Sequence, residues 1–168
     1  MGQLDQIRQS LGMPPANDDD LGEIVAFLVL FQLLKKEVAD ECSKCPADER
    51  DNFMLTYAAY LKWVVMFSVT SKFQEEICNA VTPLIDRELG KQPWYHAVRV
   101  ESLYDEMVEF PPLEPGGTFG VAMPWTSAVV VANSLGLNLS VSEDMRFHIY
   151  VSVITKQLLE TMSKVEPV

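Results

Sequence analysis

The chain has 168 residues, of which 48% are hydrophobic, and its 24 acidic against 13 basic side chains give a formal net charge of −11. A chain of this length can bury about 70% of its unfolded surface in one domain, so it needs neither a metal nor a disulfide to fold. The charge argues against a nucleic-acid partner, because phosphate backbones recruit clustered Lys and Arg. It favours a basic protein partner, although acidity that serves only solubility is the simpler alternative.

The first 15 residues predict a short N-terminal helix and a linker. Leu4, Ile7 and Leu11 recur at helical spacing. Gly12 and the pair of prolines at 14–15 then end the helical pattern.

The next two predicted helices form the centre of the fold. Three aspartates at 18–20 cap a helix over Leu21–Lys44, whose first half is apolar around most of its circumference. A second helix, over Pro46–Ser71, carries an apolar band that is wider than one stripe. Because the turn Cys42–Pro46 is short, the two helices are predicted to pack as an antiparallel pair.

Two further helices follow. Apolar residues keep a helical period from Phe73 to Leu89, but Pro83 predicts a break near Thr82. Pro93 predicts the start of another helix. One side of that helix is apolar and consists of Ala97, Val100, Leu103, Tyr104, Met107 and Val108.

The same helix carries an acidic cluster made of Glu101, Asp105, Glu106 and Glu109. Like charges at these spacings repel each other slightly. A solvated face is the simplest interpretation of the cluster. A metal ion or a basic partner is the alternative.

Residues 110–124 break the helical pattern with four prolines and three glycines, which predicts an irregular loop. A loop of this length and composition is often a lid or a binding surface. Its large apolar side chains and their neighbour are the candidate partner- or ligand-binding residues: Phe110, Phe119, Met123 and Trp125. If these side chains are exposed, they would form a recognition patch. If they are buried, they would anchor the loop. The sequence leaves both outcomes open.

The last part of the chain predicts one or two more helices. Trp125–Leu135 favours a helix closed by Gly136, although the valines at 129–131 leave β structure open. Ser140 and Glu143 have the spacing of a capping box. The helix that follows has one apolar stripe, made of Phe147, Tyr150, Val151, Ile154, Leu158, Met162 and Val165.

Residues 115–142 carry no charge, which is the one feature that suggests a membrane span. Pro124, Asn133, Asn138 and several glycines interrupt this stretch, and no cluster of Lys or Arg flanks it. We expect no membrane span.

Cys42 and Cys45 form a CxxC pair and are therefore the candidate redox residues. A thioredoxin-type site needs a strand–helix–strand unit, which the helical pattern does not provide. A zinc site is weakly indicated, because the pair supplies two of four ligands and leaves Cys78, His96 or His148 at irregular separations. The sequence predicts no metal, no cofactor and no catalytic residue.

These patterns predict an all-α protein, a single helical domain over residues 1–168 with six to seven helices and one long Pro/Gly-rich loop. The favoured function is a non-enzymatic protein-interaction module with an acidic surface. A cytoplasmic location is predicted, because the start Met-Gly-Gln-Leu-Asp lacks the pattern of an export signal and cysteines are few.

A homo-oligomer also fits, because two helices with broad apolar circumferences exceed what one small core can hide. Two other functions stay open. One is a small-molecule-binding protein or enzyme whose inter-helix pocket is roofed by residues 110–124. The other is a thiol redox protein that uses Cys42 and Cys45.

Overall fold

The computed structural model describes residues 29–72, 75–109, 125–140 and 145–163. The protein is all-α, and within these ranges the backbone forms no strand. After a helical segment at 29–33, the described helices are α1 (Lys36–Lys44), α2 (Arg50–Lys72), α3 (Glu75–Leu89), α4 (Ala97–Glu109), α5 (Trp125–Ser134) and α6 (Met145–Ser163). The prediction of a helical bundle is confirmed.

Helix α2 lies at the centre of the described bundle, because α1, α3, α4, α5 and α6 each pack against it. Its buried residues surround the helix: Tyr57, Ala58, Ala59, Leu61 and Val65 have no exposed surface. This agrees with the wide apolar band predicted for Pro46–Ser71. The pairing of that helix with Leu21–Lys44 lies partly outside the described residues and stays a prediction.

The segment predicted as one helix over Leu21–Lys44 is interrupted at Leu34–Lys35, where Lys35 has an extended backbone. Leu33 and Val38 on either side are both buried. On a continuous helix these residues would point about 140° apart, at about 100° per residue. The interruption therefore lets both side chains face the core.

Helix α3 runs through Pro83, so the predicted break near Thr82 does not occur. Val81, Ile85 and Leu89 are buried at helical spacing on both sides of the proline. Their burial outweighs the hydrogen bond that proline cannot donate.

Helix α4 begins at Ala97, four residues after the predicted start at Pro93. His96 caps this helix, because its Nδ1 accepts a hydrogen bond of 3.3 Å from the Arg99 N–H. The stripe Val100, Leu103 and Met107 is buried as predicted. Val108, predicted on the same side, is instead exposed.

Helices α5 and α6 complete the described bundle. The segment whose valines also allow β structure is a helix over Trp125–Ser134, and Gly136 follows it. In α6 the predicted stripe is confirmed for Phe147, Val151, Ile154 and Leu158, which are buried. Glu143 of the predicted capping box lies outside the described residues, and the Ser140 hydroxyl contacts Glu49. Among the helices of the described ranges, none is long and apolar enough to cross a membrane.

Candidate functional site

A groove lies between α4 and the turn that follows α5. It consists of two adjoining cavities of about 340 Å³ and about 560 Å³, which share Ser102 and Leu135 in their walls. We call it the α4–α5 groove. Its apolar wall comprises Val98, Leu135 and Leu137, and its acidic wall comprises Asp105, Glu106 and Glu109.

The turn after α5 is a Schellman motif. The Leu137 N–H donates to the Ala132 carbonyl at 3.2 Å, and the Gly136 N–H donates to the Asn133 carbonyl at 3.1 Å. Gly136 has a φ of +83°, which only glycine adopts readily. This reversal leaves Leu135 exposed to the groove while Leu137 is buried.

Hydrogen bonds to α2 hold the rim of the groove in place. The Asn52 amide donates to the Leu137 carbonyl at 3.1 Å, and its Oδ1 accepts from Arg99 at 3.4 Å. A few residues further on, the Ser140 hydroxyl lies 3.3 Å from Glu49 Oε2. Asn52 of the central helix therefore ties α4 to the turn that follows α5.

Three of the apolar side chains that line the groove are exposed. Val98 is 67% exposed, Val108 is 53% exposed and Leu135 is 41% exposed. All three lie along the same groove. Exposed apolar residues that cluster in this way mark interaction sites more often than scattered ones do.

The electrostatics of the groove are one-sided. Glu101, Asp105, Glu106 and Glu109 are all exposed, and within the described ranges none of them forms an ion pair. Asp105, Glu106 and Glu109 lie toward the C-terminal end of α4, where the helix dipole already carries negative charge and cations are preferred. The arrangement lowers the stability of the free protein and attracts a cation.

The candidate residues of the predicted loop have different placements. Phe110, Phe119 and Met123 lie outside the described residues, as does the proposed roof at 110–124. Trp125 is buried. Its ring centroid lies 5.5 to 5.9 Å from those of four aromatic rings, namely Phe53, Tyr57, Tyr60 and Phe147. Trp125 therefore anchors the start of α5 in the core.

Cys42 and Cys45 lie at the end of α1, and both thiols are free and partly exposed. The pKa of Cys45 is raised to about 11, mainly by burial. The Cys42 thiol and the carboxylates of Glu49 and Glu41 contribute to the increase. Burial also raises the pKa of Cys42, although Arg50 opposes this. At neutral pH both are thiols rather than the nucleophilic thiolates that disulfide exchange requires.

A partly buried ion pair between α2 and α3 lies against the inner side of α4. The Lys62 ammonium is buried, donates to Asp86 Oδ1 at 2.9 Å and lies 4.6 Å from the centre of the Tyr104 ring. The pair joins α2 to α3, and the ring contact joins both to α4. In the part of the chain that the structure describes, no group of three or more His, Cys, Asp and Glu side chains is placed to hold a metal ion.

Comparisons of the chain with protein-family models, curated proteins and solved structures found no match. The function is therefore inferred from the residues of this chain. The acidic wall of the groove was visible in the sequence, as the cluster at 101–109. The apolar wall was missed, because Leu135 and Leu137 reach α4 only through the tertiary fold. The one local signal for that wall was Gly136 after a helix, which predicts a tight reversal.

Proposed function

We propose that the protein is an interaction module whose α4–α5 groove binds a basic, amphipathic segment of a partner protein. The observation that carries this proposal is the coincidence of exposed Val98, Val108 and Leu135 with the carboxylates of α4 along one groove. Amphipathic helices bind grooves of this kind with their apolar face, at helical spacing.

Each wall of the groove has a distinct role in the proposed binding. The apolar wall supplies affinity, because contact with the partner removes exposed Val98 and Leu135 from water. The acidic wall at Asp105, Glu106 and Glu109 supplies selection for basic residues, and the net charge of −11 accelerates the approach of a cationic segment. A cytoplasmic location remains the one predicted from the sequence.

The proposal is tested with a fluorescent synthetic peptide that repeats Leu-Lys-Lys-Leu-Leu-Lys-Leu over about 14 residues, or four helical turns. Fluorescence anisotropy at about 0.15 M salt reports its Kd while distant charges are screened. We expect Leu135→Asp to weaken binding at least about tenfold, because it removes an apolar contact worth about 1.4 kcal/mol.

Val130→Asp is the matched control, since Val130 is exposed on α5, does not line the groove and acquires the same charge. Its Kd is expected to stay within about twofold of that of the unmodified protein. An added negative charge alone attracts the cationic peptide, so weaker binding in Leu135→Asp reports the lost apolar contact.

The acidic wall is tested by neutralising three carboxylates in the variant Asp105→Asn, Glu106→Gln, Glu109→Gln. The control neutralises three exposed carboxylates on and after α1: Asp40→Asn, Asp48→Asn and Asp51→Asn. Both variants change the net charge equally, and only the first is expected to weaken binding strongly. Equal weakening in both would show that the peptide senses net charge rather than the groove, and would overturn the proposal.

A further inference from the structure

Helix α6 carries an exposed apolar stripe that the described fold does not use. Met145, Ile149 and Val153 recur at every fourth residue and are 66%, 60% and 47% exposed. The helix already packs its other side, through Phe147 and Val151, against the core. The stripe is therefore surplus to the packing of α6.

Cations flank this stripe, although the protein as a whole is acidic. Arg146, Ile149, Val153 and Lys156 follow one another at spacings of three, four and three residues, which places them on one side of a helix. Arg146 and Lys156 are exposed, and Lys156 lies 4.0 Å from Glu160, the only carboxylate in α6. This side of α6 is therefore amphipathic with a net positive charge, as the groove requires of its partner.

We propose that the stripe of α6 in one copy docks into the α4–α5 groove of a second copy. This rests on the proposed function, because it names the chain itself as a source of the basic amphipathic segment. Ile149 and Val153 cover the apolar wall around Val98 and Leu135, and Arg146 meets the carboxylates of α4.

The dimensions of the two surfaces agree. Arg146 and Lys156 are ten residues apart, which spans about 15 Å of helix, and Val98 and Glu109 span about 16 Å of α4. An antiparallel arrangement brings Arg146 to the acidic end of the groove and directs the Lys156–Glu160 ion pair toward the Arg99 end.

The contact joins two different surfaces, so a dimer keeps one groove on one copy and one stripe on the other free to continue the assembly. The unmodified protein is expected to form species larger than dimers as its concentration rises.

The test is complementation between two variants, each with one surface disabled. Leu135→Asp disables the groove and Ile149→Asp disables the stripe. Both positions are exposed, so both variants are expected to keep the far-UV circular dichroism of the unmodified protein. Sedimentation velocity at about 0.15 M salt measures their assembly.

We expect each variant alone to be monomeric, and an equimolar mixture to form one heterodimer and nothing larger. The heterodimer arises because the intact stripe of Leu135→Asp fits the intact groove of Ile149→Asp. Val130→Asp, which alters neither surface, is expected to assemble like the unmodified protein.

Several outcomes would overturn the inference. If Leu135→Asp assembles like the unmodified protein while Ile149→Asp does not, the stripe pairs with a second stripe instead. A mixture that stays monomeric excludes the groove–stripe contact. An unmodified protein that is monomeric up to about 1 mM but binds the Leu/Lys peptide overturns this inference and leaves the proposed function intact. Loss of both properties overturns both.

Discussion

Val98 and Val100 lie two residues apart in α4, yet Val98 is 67% exposed and Val100 only 1%. The inner face of the helix, with Leu103 and Met107, packs into the core. The outer face carries Val108 and three carboxylates along the groove. One helix of 13 residues thus places valines in two different environments.

The difference shows that the exposed residues of α4 do not result from a missing apolar stripe. The inner stripe alone suffices to hold α4 on α2, since Val100, Leu103 and Met107 are almost completely buried. The outer valines and carboxylates add nothing to that packing, and the carboxylates oppose the helix dipole. We interpret the outer face as serving binding at a small cost in stability.

The largest expected effects come from truncating the inner face. Leu103→Ala is expected to destabilise the protein by about 3 kcal/mol and Val100→Ala by about 2 kcal/mol, because each leaves a cavity in the core. Val98→Ala, the same change as Val100→Ala on the outer face, is expected to stay within about 0.5 kcal/mol. Urea unfolding followed by circular dichroism measures all three. Equal losses for Val98→Ala and Val100→Ala would contradict the distinction between the faces.

An intermediate effect is expected for Asp86→Asn, which removes the charge partner of buried Lys62 beneath Tyr104. A buried ammonium with no carboxylate costs about 2 kcal/mol, and the partial exposure of Asp86 keeps the loss from being larger. The control is Glu88→Gln, which breaks the pairs of Glu88 with the exposed Arg87 and Lys91 and is expected to cost less than about 0.5 kcal/mol. Similar melting temperatures for both variants would contradict a special role for the Lys62 pair.

The smallest expected effect has the opposite sign. Glu109→Gln removes a negative charge from the last residue of α4 and relieves its repulsion with Asp105, so it is expected to stabilise the protein by about 0.3 to 0.5 kcal/mol. Urea unfolding at low salt measures this gain, and added salt should abolish it. A loss of stability on this substitution would show that Glu109 has a favourable contact in the free protein.

Sequence patterns predicted the helices that bury a single stripe, as the inner face of α4 and the core side of α6 demonstrate. They were less informative where tertiary packing decided the outcome. Leu33 and Val38 are both buried only because the helix is interrupted between them. A continuous apolar run in the sequence does not reveal such an interruption. At Pro83 the buried residues on both sides sustain the helix against a local signal for a break.

The candidate site was only half visible in the sequence. The acidic cluster of α4 could be read directly, because charge spacing is a local property. The apolar wall depends on Leu135, which approaches Ser102 from more than 30 residues further along the chain. The position of Trp125 beside a Pro/Gly-rich segment predicted a binding residue, but its aromatic neighbours on α2 and α6 place it in the core.

The left-handed backbone at Gly136 determines which way the side chains of Leu135 and Leu137 point. Their spacing therefore matters more than the exact apolar residue at each position. Both are leucines, and the reversal alone determines that the first points outward and the second inward. Inserting one residue between them would disrupt the two hydrogen bonds of the turn, from the Leu137 N–H to the Ala132 carbonyl and from the Gly136 N–H to the Asn133 carbonyl. A change in length at this turn is therefore expected to damage recognition and folding together, whereas exchanging either leucine for methionine would damage neither.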